Sequence, residues 1–242
     1  MKRSRQLEIP LRSGETIDEF MDGRLRIIQS KKGYRFSIDA ILLSQFVTMK
    51  PHDVVVDLGT GCGIIPLILL LTRPTGHAYG LEIQAELVDQ ARRNAALNGF
   101  NDRLDVIQGD LKCPPLKPSS VDVVICNPPF RAKNSGRINP DTQKAIARHE
   151  IMASLNDILD AARMLLRDKG RLALIYPAMR LADILVRMRG YGMEPKRLRI
   201  IYPGLTAEAK LILIEATLAG MAGLKILPPL IDQGNFSIKP PV

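Results

Sequence analysis

Short apolar runs alternate with helical stripes from residue 50 onward, and this alternation predicts an α/β fold. The run VVVDL (54–58) is continuous and β-branched, as expected for a strand buried on both faces of a parallel sheet. Further strands are predicted at 77–82, 104–108, 121–126 and 171–176. Apolar positions with helical spacing predict the intervening helices at about 64–71, 85–99, 154–170 and 179–189.

Capping residues mark several of these helix ends. Gly99 is predicted at the C′ position of its helix, where a left-handed backbone favours glycine. Ser154 and Asp157 have capping-box spacing, which predicts a helix start. Gly170 and Gly190 are predicted to stop the last two helices.

The pattern changes near the end of the chain. The runs RLRIIY (197–202) and KLILIEATL (210–218) are separated by PGLTAEA, which is too short for a helical crossover, so the two strands should pair antiparallel. The prediction is a seven-stranded, mostly parallel sheet with one antiparallel strand and helices on both faces. Residues 1–34 are charged and weakly patterned, and we predict that they extend from a single domain spanning 35–242.

Composition and charge indicate which partners and which cellular compartment to expect. Lys and Arg exceed Asp and Glu by 34 to 25, which favours a polyanionic partner, although a solvated basic surface explains the charge equally well. No apolar run approaches the roughly 20 residues of a membrane span, and no apolar segment follows the basic N-terminus. The three cysteines lack metal-type spacing. We therefore expect a cytoplasmic protein without membrane or metal.

The candidate binding and catalytic residues follow the carboxyl ends of the predicted strands, which is where doubly wound sheets bind ligands. The first strand ends in DLGTGCG, which supplies Asp57, Gly59, Gly61 and Gly63. Such glycines let a ligand approach the backbone, and the helix N-terminus that follows suits an anionic group. The second strand ends in Glu82, whose carboxylate can accept hydrogen bonds from ribose hydroxyls. The third ends in Gly109-Asp110.

Together these strand ends resemble the class I S-adenosylmethionine-dependent methyltransferases, whose fold is Rossmann-like and has a reversed last strand. The resemblance covers about residues 50–220 and implies S-adenosylmethionine as cofactor and S-adenosylhomocysteine as product. It implies that the three glycines approach the methionine part and that Asp57 lies near its amino group. Glu82, with Ile83 beside it, would hold the ribose, and Asp110 and Leu111 would flank the adenine.

The fourth strand ends in NPPF, residues Asn127, Pro128, Pro129 and Phe130. In the family fold this strand end lies next to the reactive methyl and the cofactor. The Asn127 side-chain carbonyl and the Pro128 carbonyl are two acceptors, which suit an NH₂ group with two donors. Phe130 offers a face for a planar substrate, worth about 1–3 kcal/mol for a nucleobase. The motif resembles the [DNS]-PP-[YFW] signature of amino-methyltransferases.

Two further segments are similar to the valine-tRNA adenine-N6-methyltransferase family: QSKKGYRFSIDAILLSQF (29–46) and LKILPPLIDQGNFSI (224–238). This resemblance implies that Phe36 and Asp39 cover the methionine end of the cofactor. It also implies adenine N6 of tRNA, or of another structured RNA, as the methyl acceptor. Basic residues near the predicted mouth are expected to contact RNA: Lys31, Lys32, Arg35, Arg131, Lys133 and Arg137.

Three other functions are weighed against this one. Release-factor glutamine methyltransferases share the NPP(Y/F) motif but usually carry a longer helical N-terminal domain. A non-catalytic RNA-binding module has no need of two acceptors beside a methyl donor. A nicotinamide-linked oxidoreductase is disfavoured by Ile64, where the dinucleotide fingerprint requires Gly or Ala. The sequence leaves the target nucleotide and the oligomeric state open.

Overall fold

The computed structural model describes residues 9–32, 37–73, 75–128 and 153–231. Its main strands are β1 (Glu15–Phe20), β2 (Leu25–Ser30), β3 (Val54–Leu58), β4 (His77–Glu82), β5 (Leu104–Gln108), β6 (Val121–Cys126), β7 (Leu166–Pro177), β8 (Met193–Tyr202) and β9 (Leu211–Leu218). Two short strands follow, β10 (Lys225–Ile226) and β11 (Leu230–Ile231). The helices are α1 (Ile38–Phe46), α2 (Ile64–Thr72), α3 (Ala85–Leu97), α4 (Leu155–Leu165) and α5 (Leu181–Gly190), with a 3-10 turn at Ala178–Arg180.

One mixed sheet forms the centre of the described part of the chain. Its long strands lie in the order β8-β9-β7-β6-β3-β4-β5, and β10 and β11 both pair parallel with β8. Strand β9 runs antiparallel to both of its neighbours, whereas β7, β6, β3, β4 and β5 run parallel. The predicted Rossmann-like sheet of seven long strands with one reversed strand is therefore confirmed.

Alternate residues of the central strands pack into two separate cores, one on each face of the sheet. Val55 points into the core built with α1, α2 and α3, whereas its neighbour Val56 belongs to the core built with α4 and α5. Ile125 and Cys126 divide in the same way. Both faces of a parallel sheet must be covered by helices, which explains why these strands read as continuous apolar runs.

The predicted role of Gly170 as a helix stop is wrong. Helix α4 ends at Leu165, and β7 begins at the next residue. Gly170 lies inside β7, at an irregularity where the partner of Val121 is Leu166 but the partner of Val123 is Arg171. A Cβ at Gly170 would lie 2.8 Å from the Arg167 carbonyl oxygen, so the glycine is required by close backbone packing in the strand.

The N-terminal hairpin of β1 and β2 was not predicted. Its side chains Leu25, Ile27 and Ile28 are fully buried, and Leu25 and Ile27 belong to the core shared with α1, α2 and α3. Adjacent buried positions in a six-residue strand obscure the alternation by which strands are recognised. The division of the chain at residue 34 stays a prediction, with β2 packed into the core of the following domain.

Candidate active site

The parallel strands bring four predicted site segments to one edge of the sheet. Leu58 at the end of β3 is the register partner of Cys126 on one side and of Leu81 on the other. Glu82 at the end of β4 is in turn paired with Gln108 of β5. The residues that follow these strands therefore leave the sheet side by side, as expected for a ligand site beyond carboxyl ends.

The glycine-rich turn folds back over the end of β4. The N–H groups of Gly59 and Thr60 both donate to the Leu81 carbonyl, at 2.8 and 3.0 Å. Gly59, Gly61 and Gly63 have φ of 76°, 58° and 84°, a left-handed conformation that favours glycine. Gly63 is the N-cap residue of α2, so the turn presents a helix N-terminus to the same edge.

A glycine in β4 makes room for this turn. A Cβ at Gly80 would lie 2.7 Å from Thr60 Cγ2, closer than side chains tolerate. The side chain of Thr60 therefore occupies the space above Gly80 and is itself buried, with 4% exposure. Gly80 and Thr60 support the turn and were missed by the sequence analysis, although a glycine inside a strand pattern does indicate close approach of another segment.

Asp57 is a buried carboxylate without a hydrogen-bonding partner among the described residues. Its side chain is 1% exposed, and neither carboxylate oxygen accepts a hydrogen bond. Burial raises the pKa of Asp57 to about 7; the nearby Thr60 hydroxyl, although outside hydrogen-bonding geometry, opposes this shift, and the charge of Glu82 adds to it. An unsatisfied buried carboxylate at a strand end is a place for a cationic ligand group, and it fits the amino group that the sequence analysis assigned to it.

Glu82 is held rigidly at the end of β4. One carboxylate oxygen accepts from the Gly61 N–H at 3.0 Å, and the other accepts from the N–H groups of Ile83 and Gln84, each at 2.9 Å. Burial raises the pKa of Glu82, and these three N–H groups oppose the shift. The oxygen that accepts from the Gly61 N–H retains a lone pair, so the carboxylate can also accept from a ribose hydroxyl. Ile83 is half-buried beside it.

The end of β5 continues the same edge. The Gly109 N–H donates to the Glu82 carbonyl at 3.0 Å, which attaches the following loop to β4. Asp110 is exposed and accepts from the Lys112 N–H at 2.9 Å, whereas Leu111 is half-buried and packs against the core on the α4 side. Their predicted place beside the adenine stays a prediction; both residues follow the end of β5, at the edge where the glycine turn lies.

The fourth strand end places an amide beside the glycine turn. Asn127 follows Cys126 directly and is half-buried, and its side chain makes no hydrogen bond with the described residues. Pro128 is buried. The structure thus describes two of the motif's four residues, and Pro129 and Phe130 lie outside the described residues.

Asp39 lies in the first turn of α1, away from the glycine turn along the sheet. It lines a pocket with Ile38, Leu42, Ile201, Pro203, Lys210 and Leu211, at the ends of β8 and β9. Strands β7 and β6 stand between β9 and β3. Its predicted role at the methionine end of the cofactor stays a prediction, and Phe36, its proposed companion, lies outside the described residues.

The predicted RNA-contacting residues are only partly covered by the structure. Lys31 and Lys32 follow β2 and are exposed. Strand β2 passes Asn98 at Arg26 and Asn94 at Ile28, so it runs from the end of α3 toward the start of α3. Because α3 starts just beyond the carboxyl end of β4, both lysines emerge at the edge that carries the site. Arg35, Arg131, Lys133 and Arg137 lie outside the described residues.

Comparison with known proteins identifies the fold and the chemistry. Residues 36–185 match the family model described as the methyltransferase small domain. The chain belongs to this family. It is accordingly an S-adenosylmethionine-dependent methyltransferase, and the unpartnered Asp57 carboxylate, the glycine turn and the rigid Glu82 are the features of this chain that fit that cofactor.

The relatives in this methyltransferase family agree with the resemblance stated from the sequence. A Porphyromonas gingivalis protein named tRNA1(Val) (adenine(37)-N6)-methyltransferase is 33% identical over 206 residues, which are 82% of this chain and 80% of the relative. A Parabacteroides distasonis protein of the same name is 28% identical over 204 residues, 84% of this chain and 85% of the relative.

Solved methyltransferase structures share the fold. A protein from Agrobacterium tumefaciens described as a predicted O-methyltransferase superposes with a TM-score of 0.65 at 22% identity, over 84% of this chain and 92% of that one. A Streptomyces coelicolor geranyl diphosphate C-methyltransferase, solved with S-adenosylhomocysteine, gives 0.53 at 14% identity, over 74% and 79%. Within the described residues, no three His, Cys, Asp or Glu side chains are grouped so that they could hold a metal ion, and no helix is long and apolar enough to cross a bilayer.

Proposed function

We propose that this methyltransferase transfers a methyl group to the exocyclic N6 of an adenine in tRNA. The observation that carries the proposal is the position of Asn127, whose side-chain carbonyl has no partner among the described residues and lies one residue beyond the register partner of Leu58. The relatives named as adenine-N6-methyltransferases of a valine tRNA support the choice of substrate, and their names point to adenine 37.

The chemistry follows from what the strand ends offer. S-adenosylmethionine, when bound, supplies an electrophilic methyl group. The amine of adenine is conjugated with the ring, so its lone pair is a poor nucleophile. The Asn127 side-chain oxygen and the Pro128 carbonyl oxygen accept hydrogen bonds from its two N–H groups, which localises the lone pair on the nitrogen and directs it toward the methyl group. Positioning of this kind, in a site with little water, supplies most of the rate gain.

A basic surface at the same edge suits a tRNA. Lys31 and Lys32 are exposed where β2 reaches the site, and the net charge of the chain is +9. We extend the proposed contact to Arg35, Arg131, Lys133 and Arg137, which flank the described site segments in sequence. Neutralised phosphates would make binding strongly salt-dependent. A cytoplasmic location is part of the proposal, since tRNA is modified there.

The decisive experiment separates the acceptor classes. Radiolabelled S-adenosylmethionine is incubated with the protein and with either total tRNA or total cell protein, and the modified nucleosides are identified by mass spectrometry. N6-methyladenosine in tRNA is the expected product. Label in protein at a glutamine, with none in RNA, would replace this function by protein methylation while leaving the cofactor chemistry intact.

A further inference from the structure

One buried side chain joins the N-terminal hairpin to the glycine turn. Asn94, on α3, is fully buried. Its Nδ2 donates to the Cys62 carbonyl at 2.9 Å and to the Ile28 carbonyl at 3.1 Å, and its Oδ1 accepts from the Ile28 N–H at 2.6 Å. Cys62 lies between Gly61 and Gly63, inside the turn. The same amide therefore fixes a backbone group of the turn and both backbone groups of one residue of β2.

A second amide, that of Asn98 one helical turn further along α3, makes the same pair of contacts with the hairpin and also donates to the Asn94 carbonyl at 2.7 Å. Asn98 Oδ1 accepts from the Arg26 N–H at 2.9 Å, and its Nδ2 donates to the Arg26 carbonyl at 2.7 Å. Residues four apart on a helix lie on one face, and alternate residues of a strand point their backbone groups to one side. Asn94 and Asn98 thus bond to the backbone N–H and C=O groups of β2 as a neighbouring strand would.

An ion pair holds the other strand of the hairpin to the same helix. Arg93 donates to Glu15 of β1 at 2.7 Å, and both side chains are largely buried, with 15% and 9% exposure. Arg93 also donates to Asp89, and Arg12 just before the hairpin reaches Asp89 at 2.7 Å. These contacts fix the hairpin on α3, and among the hydrogen bonds of the described residues those of Asn94 continue from the hairpin to the turn.

We infer that the N-terminal hairpin sets the conformation of the glycine turn through Asn94, so that full cofactor affinity requires a docked hairpin. Asn94 is a positioning residue, which acts on the ligand through the Cys62 carbonyl. If the hairpin leaves α3, the Asn94 amide loses its Ile28 partners and is free to rotate away from Cys62. The turn then samples other conformations, and binding must first order it.

The test uses the full chain and measures cofactor binding, so it does not depend on which substrate is methylated. Asn98→Ala and Glu15→Gln each weaken hairpin docking without touching the turn, and Asn94→Ala removes both contacts. Hydrogen exchange of the cofactor-free protein reports the turn, through the protected N–H groups of Gly59, Thr60 and Gly61. Calorimetric titration gives the dissociation constant of S-adenosylhomocysteine.

We expect Asn94→Ala to weaken binding about tenfold and Asn98→Ala or Glu15→Gln about threefold, the effects of one to two lost hydrogen bonds. Exchange at the turn should quicken in all three, and the KM for S-adenosylmethionine should rise while kcat at saturation is retained. Ser154→Ala is the control, because it removes the capping box of α4 on the opposite face of the sheet and lowers the melting temperature without a contact to the hairpin.

The inference is overturned if Asn98→Ala or Glu15→Gln speeds exchange in β2 but leaves exchange at the turn and the dissociation constant unchanged. It is equally overturned if Ser154→Ala weakens binding as much as the hairpin variants, since general destabilisation would then explain them. If Asn94→Ala does not fold, Asn98→Ala and Glu15→Gln still test the inference by themselves.

Discussion

Leu58 and Cys126 are register partners in adjacent parallel strands, and the Cys126 thiol also contacts the Leu58 carbonyl at 3.1 Å. Burial raises the pKa of Cys126 well above its ordinary value, so the thiol stays protonated and able to donate. Gly59 and Asn127 follow these two residues. The sheet itself therefore fixes the glycine turn relative to Asn127, the proposed acceptor of hydrogen bonds from the substrate amine.

Asn127→Ala should abolish methyl transfer and leave cofactor affinity nearly unchanged. Removing one preorganised hydrogen-bonding group at a reacting centre costs about 10²–10³-fold in rate. Single-turnover transfer to tRNA and titration with S-adenosylhomocysteine measure the two effects separately. Asn101→Ala, at an exposed position in the turn after α3, is the matched control. Transfer at the wild-type rate by Asn127→Ala would remove the role assigned to this amide.

Asp57→Asn should stabilise the cofactor-free protein above neutral pH. Burial raises the pKa of Asp57 from 3.8 to about 7, so the unfolded chain loses this proton at lower pH than the folded one. Stability from this group is therefore full below pH 4 and falls as pH rises to 7. The fall is at most ~4 kcal/mol, since three pKa units correspond to 1.36 kcal/mol each.

Urea denaturation at pH 5, 6, 7 and 8 checks this. The wild-type protein should lose stability relative to Asp57→Asn across that range, whereas the exposed Asp102→Asn should track the wild type. A constant difference between wild type and Asp57→Asn at every pH would contradict the raised pKa.

Acid should weaken the attachment of the N-terminal hairpin. The Arg93 guanidinium lowers the pKa of Glu15 from 4.5 to about 2, so the stability from this pair is present above pH 4.5 and is lost as pH falls toward 2. Glu15→Gln should therefore cost about 1–3 kcal/mol at pH 7, in the range for hydrogen bonds to charged groups, and less at pH 3.

Denaturation of wild type and Glu15→Gln at pH 7 and pH 3 measures the difference. Glu86→Gln, an exposed carboxylate in the first turn of α3, is the control and should be close to neutral. An equal cost of Glu15→Gln at both pH values would mean that the charge of Glu15 contributes nothing to docking.

Lys31→Ala with Lys32→Ala should weaken tRNA binding and leave the dissociation constant of the cofactor unchanged. Each lost phosphate contact reduces the slope of log K against log salt by about 1, so the pair should reduce it by about 2. Filter binding of tRNA at several salt concentrations gives the slope. Lys117→Ala with Lys225→Ala is the matched control, since both are exposed and Lys117 precedes the amino end of β6. Equal slopes in wild type and the Lys31 and Lys32 double variant would exclude these lysines from the interface.

Gly80→Ala should displace Thr60 and so distort the glycine turn. The added methyl group would lie 2.7 Å from Thr60 Cγ2, so Thr60 must move and the hydrogen bonds of the turn to Leu81 must lengthen. We expect a lower melting temperature, typical of overpacking at about 1–3 kcal/mol, and weaker cofactor binding. Adding Thr60→Ser, which deletes that methyl group, should restore part of both. Gly204→Ala, with open space around its Cβ, is the control and should change neither.

Much of the fold was predictable because its determinants are local. The strands at 54–58, 77–82, 104–108 and 121–126 have the predicted bounds. Two of them, 54–58 and 121–126, are rich in β-branched residues, as strands buried on both faces are. Gly99 has φ of 72°, and Ser154 and Asp157 form the predicted capping box. The antiparallel pairing of β8 and β9 followed from the length of one loop.

The failures have a common cause in contacts between segments distant in sequence. Gly170 looked like a helix stop, yet its place in β7 is set by the shifted pairing with β6. The hairpin of β1 and β2 depends on amides of α3 that lie 66 and 72 residues further along the chain. Asn94 lies three residues after the buried Ala91 on α3, and this helical spacing indicates burial but does not reveal that its amide bonds to β2.

The sequence alone determined which chemical groups stand at the ends of the strands, because strand runs and their terminal residues are contiguous in the chain. Only the tertiary structure decided that Asp57 is buried without a hydrogen-bonding partner among the described residues and that Glu82 accepts from the Gly61 N–H. The same holds for Asn94, whose hydrogen bonds connect the turn to the hairpin. These properties depend on which backbone groups meet in space and on how much water the packing excludes, and local patterning encodes neither.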